Sequence, residues 1–260
     1  MNIIFMSLFA GVAGMGLGGL LTSLFGSRTD KMIGIFLSFA GGVMTSIVFL
    51  ELIPKSIEYS NIAIAIMGIV IGAVLVWVLN TVVDRVSNSG KSNAKLHENY
   101  TEFFHSSDII TRKKSMLRSG MIMLIAIGLH NIPEGLALGA AGNHDLGLGI
   151  TLTIIIGLHN IPEGMAVSAP LIAGGLSKTK SIVLTLLIGT TTVIGAIAGV
   201  LIGGISDTAV AISFSVAGGA MLYVVLGEIL PQSIVMSKDR VPTIFALVGV
   251  IIGMLFIAIF

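Results

Sequence analysis

Long apolar runs separated by short polar connections divide the chain into eight segments. Each run has about 20 residues, the length that an α-helix needs to cross the hydrocarbon core of a bilayer. The predicted spans cover about residues 2–25, 32–54, 61–83, 119–141, 147–174, 181–204, 208–232 and 242–260. The apolar runs are continuous rather than alternating, which favours transmembrane helices over the strands of a membrane barrel.

Composition agrees with this pattern. Hydrophobic residues make up 55% of the chain and charged residues only 10%, whereas a soluble domain has about 25% charged residues. The sequence therefore predicts an all-α integral membrane protein with membrane lipid around it. There is no cysteine, which excludes disulfides, thiolate ligands and cysteine nucleophiles. The net charge of +1 gives no indication of a nucleic-acid partner, and we expect none.

The basic residues predict the orientation of the spans. All lysines and arginines except Lys55 lie in or beside the odd-numbered connections. Because basic connections stay in the cytoplasm, both termini are expected on the extracellular or periplasmic side. The segment 84–118 is the longest and most charged connection, and we expect a flexible cytoplasmic loop there. Its His97 and His105 either collect metal or are ordinary solvated histidines.

Two internal repeats indicate inverted symmetry. The nine residues 127–135 recur unchanged as residues 156–164, an offset of 29, so the two copies must cross the bilayer in opposite directions. A looser repeat relates residues 41–60 to residues 218–237 at an offset of 177. In addition, the glycine pair in span 3 resembles the pair in span 8 (Gly68 and Gly72; Gly249 and Gly253). The spans therefore read as a 3+2+3 inverted repeat, an arrangement typical of alternating-access transporters.

The exact repeat carries the candidate chemistry. His130 and Glu134 are four residues apart, as are His159 and Glu163, so each pair shares one helix face. An ionisable group at a span centre costs about 2.5–3.5 kcal/mol on insertion scales, so four of them need a reason to be there. Imidazole and carboxylate groups that face each other would bind a divalent cation. The alternative is that the four side chains only hold helices together.

Further groups in the repeat can support such a site. Pro133 and Pro162 each remove a backbone N–H, which would free carbonyl oxygens of Leu129 and Leu158 as ligands. Asn131 and Asn160 offer oxygens to the cation or hydrogen bonds to its ligands.

The donor set also restricts the metal and predicts a pH effect. Two imidazoles favour Zn²⁺, Fe²⁺, Cd²⁺, Mn²⁺ or Co²⁺ over Ca²⁺ and Mg²⁺. Metal binding should displace protons, so we expect transport to depend on pH.

These residues resemble the ZIP family of metal transporters, in particular its bacterial ZupT and GufA-like branch. The resemblance rests on the paired His-Asn-Ile-Pro-Glu-Gly motifs in spans 4 and 5 and on the Glu-x-x-Pro ends of spans 2 and 7. It implies import of Zn²⁺ or related dications, movement of the motif helices against a scaffold, and a homodimer. A prokaryotic plasma or inner membrane is the expected location, and no cofactor beyond the transported metal is expected.

The resemblance also implies roles for particular residues. The primary metal site would consist of His130, Glu134, His159 and Glu163. Asn131 and Asn160 would adjoin a second metal position, bridged by Glu163. Met44 would lie near the first metal, or else simply fill a gap in the core.

One departure from the family pattern concerns span 6. Many relatives have a glutamate there that completes the second position, whereas this chain has Thr192. We therefore expect one strong site with at most a weak neighbour.

Two glutamates outside the motifs are candidate entrance and exit residues. The looser repeat predicts Glu51 near the outer surface and Glu228 near the inner surface, where they would attract cations. The alternative is that each is a hydrated residue at a helix end.

Two other functions remain open from the sequence. An intramembrane metal-dependent hydrolase would need the same ligand types, although the His-Glu-x-x-His motif is absent. A metal sensor that does not translocate its ligand is the other alternative.

Overall fold

The computed structural model describes residues 3–25, 29–87, 109–203, 206–237 and 239–259, and these residues are helical with short connections. The helices are α1 (Ile3–Phe25), α2 (Asp30–Tyr59), α3 (Ile62–Ser87), α4 (Ile109–His144), α5 (Leu146–Ala173), α6 (Lys178–Gly203), α7 (Asp207–Ser237) and α8 (Val241–Ile259). No strand occurs in this part of the chain.

Seven of these helices are long and apolar enough to cross a membrane, counting only the described residues. The exception is α3, whose qualifying apolar stretch, Ile62–Val78, is shorter. The prediction of an all-helical membrane protein is therefore confirmed at this level.

The charged segment 84–118 is partly helical. Helix α3 continues to Ser87, and α4 begins at Ile109, so helix covers both ends of the segment for which we predicted a loop. The physical reason is that extending an existing helix needs no new nucleus, and residues 109–118 are rich in good helix formers such as lysine, arginine, leucine and methionine. Residues 88–108, with His97 and His105, lie outside the described residues.

Polar residues between the apolar runs begin the helices. Thr29 Oγ1 accepts from Met32 N at 3.3 Å, and Asp145 Oδ1 accepts from Gly147 N at 2.6 Å. Ser206 Oγ accepts from Ala209 N in the same way. Such caps satisfy backbone donors that have no partner within the helix. They explain why α2, α5 and α7 begin at these positions.

Four helices form the inside of the bundle. About two thirds of the most apolar stretch is buried in each of α2, α4, α5 and α7. The buried share is half in α1, 39% in α6 and 17% in α8. Among the outer helices, α8 packs on α2, α3 packs on α7, α6 packs on α4, and α1 packs on both α5 and α6. The ionisable motifs therefore lie on helices that protein surrounds.

Glycines allow the outer helices to approach closely. A Cβ at Gly42 of α2 would run into the carbonyl oxygen of Ala246 on α8, and one at Gly219 of α7 would meet that of Ile69 on α3. Small residues at such contacts are the usual means of helix packing in lipid, where no hydrophobic effect drives helices together.

Within the described ranges, three helices contain a π-helical turn, at Leu8–Ala13 in α1, Val48–Leu52 in α2 and Val225–Ile229 in α7. A π-turn inserts one residue into the helical register and redirects the side chains around it. The turns in α2 and α7 contain Glu51 and Glu228, respectively.

Candidate metal site

The two copies of the nine-residue repeat lie side by side on α4 and α5. These helices are antiparallel, since Gly120 of α4 contacts Leu171 near the end of α5, and Gly142 contacts Gly149 near its beginning. Both helices continue through the prolines of the motifs, Pro133 in α4 and Pro162 in α5.

All four predicted ligands meet between the helices. His130 Nε2 lies 3.3 Å from Glu163 Oε1, and His159 Nε2 lies 3.0 Å from Glu134 Oε1. Within each helix, the His–Glu distances are 3.9 Å on α4 and 3.7 Å on α5. None of these side chains is more than 1% exposed. The sequence therefore identified a set of residues that the fold brings together.

The hydrogen bonds of His159 show which nitrogen faces the carboxylate. Its Nδ1 lies 3.1 Å from the carbonyl oxygen of Ile155. A carbonyl oxygen only accepts, so Nδ1 carries the proton of this bond. In the neutral ring, Nε2 then presents a lone pair toward Glu134 Oε1. Two facing lone pairs require a proton or a metal cation between them, and orientation by a backbone carbonyl is usual for metal-binding histidines.

Several buried polar atoms of the cluster lack a hydrogen-bond partner among the described residues. They are His130 Nδ1, Glu134 Oε2 and Glu163 Oε2. Leaving a buried acceptor unsatisfied costs about 1–3 kcal/mol, and more for a charged group. Ligand atoms of His130, Glu134 and Glu163 also lie within 4.8 Å of one another. These residues therefore fit a dication, which would satisfy oxygens that the protein leaves free.

The two asparagines of the repeats have different surroundings. Asn160 Nδ2 donates to the carbonyl oxygen of Ala10, in the π-turn of α1, at 2.9 Å, while its Oδ1 has no described partner. Both side-chain polar atoms of Asn131 are buried without a described partner, as is Thr192 Oγ1. Thr192 packs on Gly11 of α1 and on Gly135 of α4. This polar region adjoins the four ligands and contains no carboxylate from α6.

Met44 is fully buried within the apolar core. Burial is compatible with both predicted roles of Met44, so the choice between them stays a prediction. About one turn further along α2 lies Ile47, which lines a cavity at the site.

The candidate entrance and exit glutamates differ. Glu51 is only 8% exposed and lines a cavity together with Glu134 and His159. Glu228 is half-buried, and its Oε1 accepts from Asn80 Nδ2 of α3 at 3.3 Å. Glu51 thus borders the His/Glu cluster, whereas Glu228 accepts a hydrogen bond from the side-chain amide of Asn80.

The apolar lining of this cavity was not predicted from the sequence. The lining includes Ile47, Ala137, Leu152 and Ile155. Helical spacing could have identified part of it, because Ile47 is four residues before Glu51, Ala137 is three after Glu134 and Ile155 is four before His159.

The long apolar helices indicate a multi-pass membrane protein, and its buried His/Glu cluster is a candidate intramembrane cation site. Comparison with known proteins gives the family. The family model described as ZIP Zinc transporter matches residues 1–260, and the chain belongs to this family.

Curated relatives are similar in sequence to this chain along nearly its whole length. The zinc transporter ZupT of Chlorobium chlorochromatii is 35% identical, over 99% of this chain and 97% of the relative. The ZupT proteins of Chlorobaculum parvum and Akkermansia muciniphila are each 33% identical, over 98% and 99% of this chain. The resemblance inferred from the motifs is confirmed, and the family is one of transporters rather than enzymes.

Proposed function

We propose that this protein imports divalent transition-metal cations, Zn²⁺ foremost, into the cytoplasm through the His130, Glu134, His159 and Glu163 site. The observation that carries the proposal is the buried cluster of two imidazoles and two carboxylates, with carboxylate oxygens left free. Two carboxylates balance the charge of one dication, which lowers the cost of holding the metal inside the membrane. The zinc transporters similar to this chain support the same substrate.

The donor set favours a borderline dication. Imidazole suits Zn²⁺ and Fe²⁺, with Cd²⁺, Mn²⁺ and Co²⁺ as further candidates, and an all-oxygen shell would be expected for Ca²⁺ or Mg²⁺. We propose one strong site, because Thr192 supplies no carboxylate to the polar region around Asn131 and Asn160. No cofactor beyond the transported metal is required by this scheme.

We propose that the chain crosses the membrane eight times, with both termini outside. This topology adds α3 as a span, whose 26 residues are long enough at 1.5 Å per residue. It leaves Lys55 as the basic residue of the outer connections, in accordance with the positive-inside rule. A bacterial inner membrane is the proposed location, because the compared relatives are bacterial.

An inverted repeat is supported by the contacts between α2 and α7. Gly34 contacts Ser233 and Ser237 near the end of α7, whereas Ser56 Oγ donates to Ala211 O at 2.8 Å near its beginning. Adding 177 to Gly34 gives Ala211, and adding 177 to Ser56 gives Ser233. Each contact is therefore the symmetry equivalent of the other, as expected of antiparallel helices related by a two-fold axis.

The glycine contacts of the outer helices follow the same offset. Gly72 of α3 packs on Val216 O, and Gly249 of α8 packs on Phe39 O. Adding 177 to Gly72 gives Gly249, and adding 177 to Phe39 gives Val216, so the two contacts are symmetry equivalents. Gly72 thus corresponds to Gly249, one helical turn from the register that the glycine pairs of spans 3 and 8 had indicated.

Alternating access is supported by a division of the helices into two groups. The motif helices α4 and α5 pack with α6 and α1, and α2 and α7 pack with each other and with α8 and α3. The groups meet where α4 contacts α7 and where α5 contacts α2, next to the metal site. Movement of one group against the other would expose the site first to one side and then to the other.

Transport into sealed proteoliposomes that contain a metal-sensitive dye tests the proposal. Wild type should admit Zn²⁺, and Glu134→Ala and His159→Ala should not, whereas Glu58→Ala at the exposed end of α2 should behave as wild type. The rate should fall as the outer solution is made mildly acidic, because protons compete with metal for the imidazoles and carboxylates.

The remaining outcomes contradict the proposal. Folded wild type that binds Zn²⁺ without admitting it would indicate the sensor, and metal-dependent cleavage of peptide or lipid would indicate the hydrolase. Uptake that survives both substitutions would mean that the His/Glu cluster is structural. Homodimer formation, which we also propose, is tested separately by the mass of the detergent-solubilised protein.

A further inference from the structure

We propose that His144, Tyr59 and Asp207 form an outer latch between the two helix groups, and that external acid closes it by giving His144 a positive charge. This inference rests on the proposed alternating access and adds its regulation by pH. The observation is a pair of contacts between the groups. His144 Nε2 lies 3.5 Å from Asp207 Oδ1, and the rings of His144 and Tyr59 meet edge to face with their centroids 5.7 Å apart.

The latch residues lie at helix ends that belong to different groups. His144 is the last residue of α4, in the group of the motif helices, whereas Tyr59 ends α2 and Asp207 begins α7 in the other group. By the proposed topology, all three helix ends face outward. Separation of the groups on this side would break both contacts of His144. The strength of these contacts therefore contributes to how readily the metal site opens outward.

The attraction between His144 and Asp207 depends on the charge of the imidazole. A separation of 3.5 Å is too long for a good N–H···O hydrogen bond, so a neutral ring gains little from this carboxylate. Both helix dipoles favour the charged pair, because His144 is in the last turn of α4 and Asp207 is in the first turn of α7. Imidazole is the side chain that changes its charge between about pH 5 and pH 8. Mild acid should therefore strengthen the pair.

The neighbouring charges also favour a cationic His144. Asp145 follows it in the chain, and the Asp145 carboxylate caps the start of α5. Lys55 is the nearby cation on α2, but its charge is compensated by Glu58 at 3.0 Å. The carboxylates of Asp145 and Asp207 are therefore the main charges around the imidazole.

Tyr59 provides the fixed side of the outer latch. Its ring stacks on that of Phe214 in α7, with centroids 6.2 Å apart and planes 23° apart, and Phe214 is fully buried. Tyr59 is thus held by its own helix group. The neutral latch has the aromatic contact between His144 and Tyr59, and the charged latch adds the ion pair with Asp207.

The inner ends of the same helices lack this pair. The repeat offsets of 29 and 177 give the equivalents of the three latch residues, which are Ala173 for His144, Met236 for Tyr59 and Asp30 for Asp207. Ala173 has no ionisable side chain, so the outer latch departs from the inverted symmetry. A titratable contact on one side only responds to the solution on that side.

The expected effect of the latch is modest. The side chains of His144 and Asp207 are 42% and 63% exposed, and an ion pair in contact with solvent shifts an equilibrium by about fivefold at most. A ligand that binds one conformation has an apparent affinity reduced by the fraction of protein in that conformation. Closing the latch should therefore raise the KM for external Zn²⁺ by up to about fivefold.

A distance measurement tests the latch without transport. The chain contains no cysteine, so Ile57→Cys and Leu146→Cys, at exposed positions near the outer ends of α2 and α5, accept spin labels selectively. In metal-free proteoliposomes, lowering the pH from about 7.5 to about 5.5 should raise the ratio of short to long label distances by about two- to fivefold. His144→Gln should remove this response, and His144→Lys should keep the short distance at both pH values.

Uptake provides a second readout. The central ligands bind protons in every variant, so the comparison between variants isolates His144. Acid should raise the KM for Zn²⁺ entry by about two- to fivefold more in wild type than in His144→Gln. Asp207→Asn leaves the Ser206 cap of α7 in place and should match His144→Gln, and the double variant should match both. Asp30→Asn, at the inner equivalent position in the first turn of α2, should respond as wild type does.

The latch would be overturned by label distances that ignore pH in wild type, or by a full acid response in His144→Gln or Asp207→Asn. Loss of the response in Asp30→Asn would overturn it as well, because the effect would then not be specific to the outer end. Failure of the proposed function has a different signature. Absence of Zn²⁺ entry in wild type, with the label distances responding as expected, would overturn transport and leave the latch intact.

Discussion

The two copies of the nine-residue repeat are identical in sequence but not in surroundings. On α5, His159 Nδ1 is bound to the Ile155 carbonyl, and Asn160 is tied to Ala10 of α1. On α4, His130 Nδ1 and both polar atoms of Asn131 lack described partners. The difference between the asparagines involves a neighbouring helix, because Ala10 lies in the π-turn of α1 at Leu8–Ala13. The difference between the histidines lies within α5, because Ile155 is four residues before His159.

The two copies share the same candidate ligands but differ in the hydrogen bonds that hold those side chains in place. Both copies offer the metal one imidazole and one carboxylate at similar distances. Among the residues that the structure describes, backbone carbonyls accept hydrogen bonds from the His and Asn of the α5 copy and not from those of the α4 copy. We therefore expect equivalent ligand substitutions to have equal effects, and substitutions of supporting residues to have unequal ones.

The largest expected effect is loss of transport when either carboxylate is removed. Glu134→Ala and Glu163→Ala should each reduce Zn²⁺ uptake by about 100-fold or more, because removing one partner leaves an uncompensated charge in the membrane interior. Initial uptake rates, normalised to folded protein, provide the measurement. A loss in one variant with normal uptake in the other would mean that the copies are not equivalent as ligands.

Removal of the metal should lower the free energy of unfolding, because the metal would bridge both copies of the repeat. Saturation with Zn²⁺ at 100 times its Kd should stabilise the folded protein by about 2.7 kcal/mol, and a chelator should abolish this gain. Thermal unfolding in detergent with and without Zn²⁺ gives the comparison. The gain should be absent in Glu134→Ala, and an undiminished gain there would place the bound metal elsewhere.

The glycines of the repeats provide a matched pair of tests. A Cβ at Gly135 would meet Thr192 O, and one at Gly164 would meet Met15 O. Alanine at either position should destabilise the protein by about 1–3 kcal/mol through overpacking.

The controls lie seven residues earlier in each copy. At Gly128 and Gly157 the nearest atoms to an added Cβ are at 3.8 Å and 3.5 Å, so alanine there should be neutral or should stabilise the helix by up to about 1 kcal/mol. Denaturant titration of all four variants would show the contrast, and a uniform effect would contradict it.

The smallest expected effect concerns the asparagines. Asn160→Ala removes the hydrogen bond to Ala10 O and should cost about 1 kcal/mol in metal-free protein. Asn131→Ala removes no described hydrogen bond and should leave the free energy of unfolding nearly unchanged. Equal losses in metal-free protein would show that the two copies are supported alike.

Much of the fold was predictable because a bilayer imposes simple demands. A helix satisfies its own backbone in lipid and needs about 20 apolar residues, so the spans could be read along the chain. The C-terminal end of α3 and the beginning of α4 were harder to predict, because a helix can continue into polar sequence without losing its backbone hydrogen bonds. The predicted flexible loop at 84–118 therefore gives way to helix at both of its ends.

Much of the candidate site was equally accessible, for a different reason. Four buried ionisable groups in an exact repeat are too unfavourable to occur without a function, and their spacing places each pair on one face. Residue type and spacing do not reveal which atoms meet across the helices. That His159 approaches Glu134, and His130 approaches Glu163, follows from the antiparallel packing of α4 and α5.

Sequence alone was sufficient for the membrane class, the family resemblance and the choice of the four ionisable residues that meet between α4 and α5, because each depends on residue type and local spacing. The tertiary structure decided how Glu51 and Glu228 differ, how Asn131 and Asn160 differ, and where the cavity lies. These differences arise from contacts between residues far apart in the chain, such as Asn160 with Ala10 and Glu228 with Asn80. Identical repeats thus have different hydrogen bonds, because the partners lie outside the repeats, in the preceding turn of α5 for His159 and in α1 for Asn160.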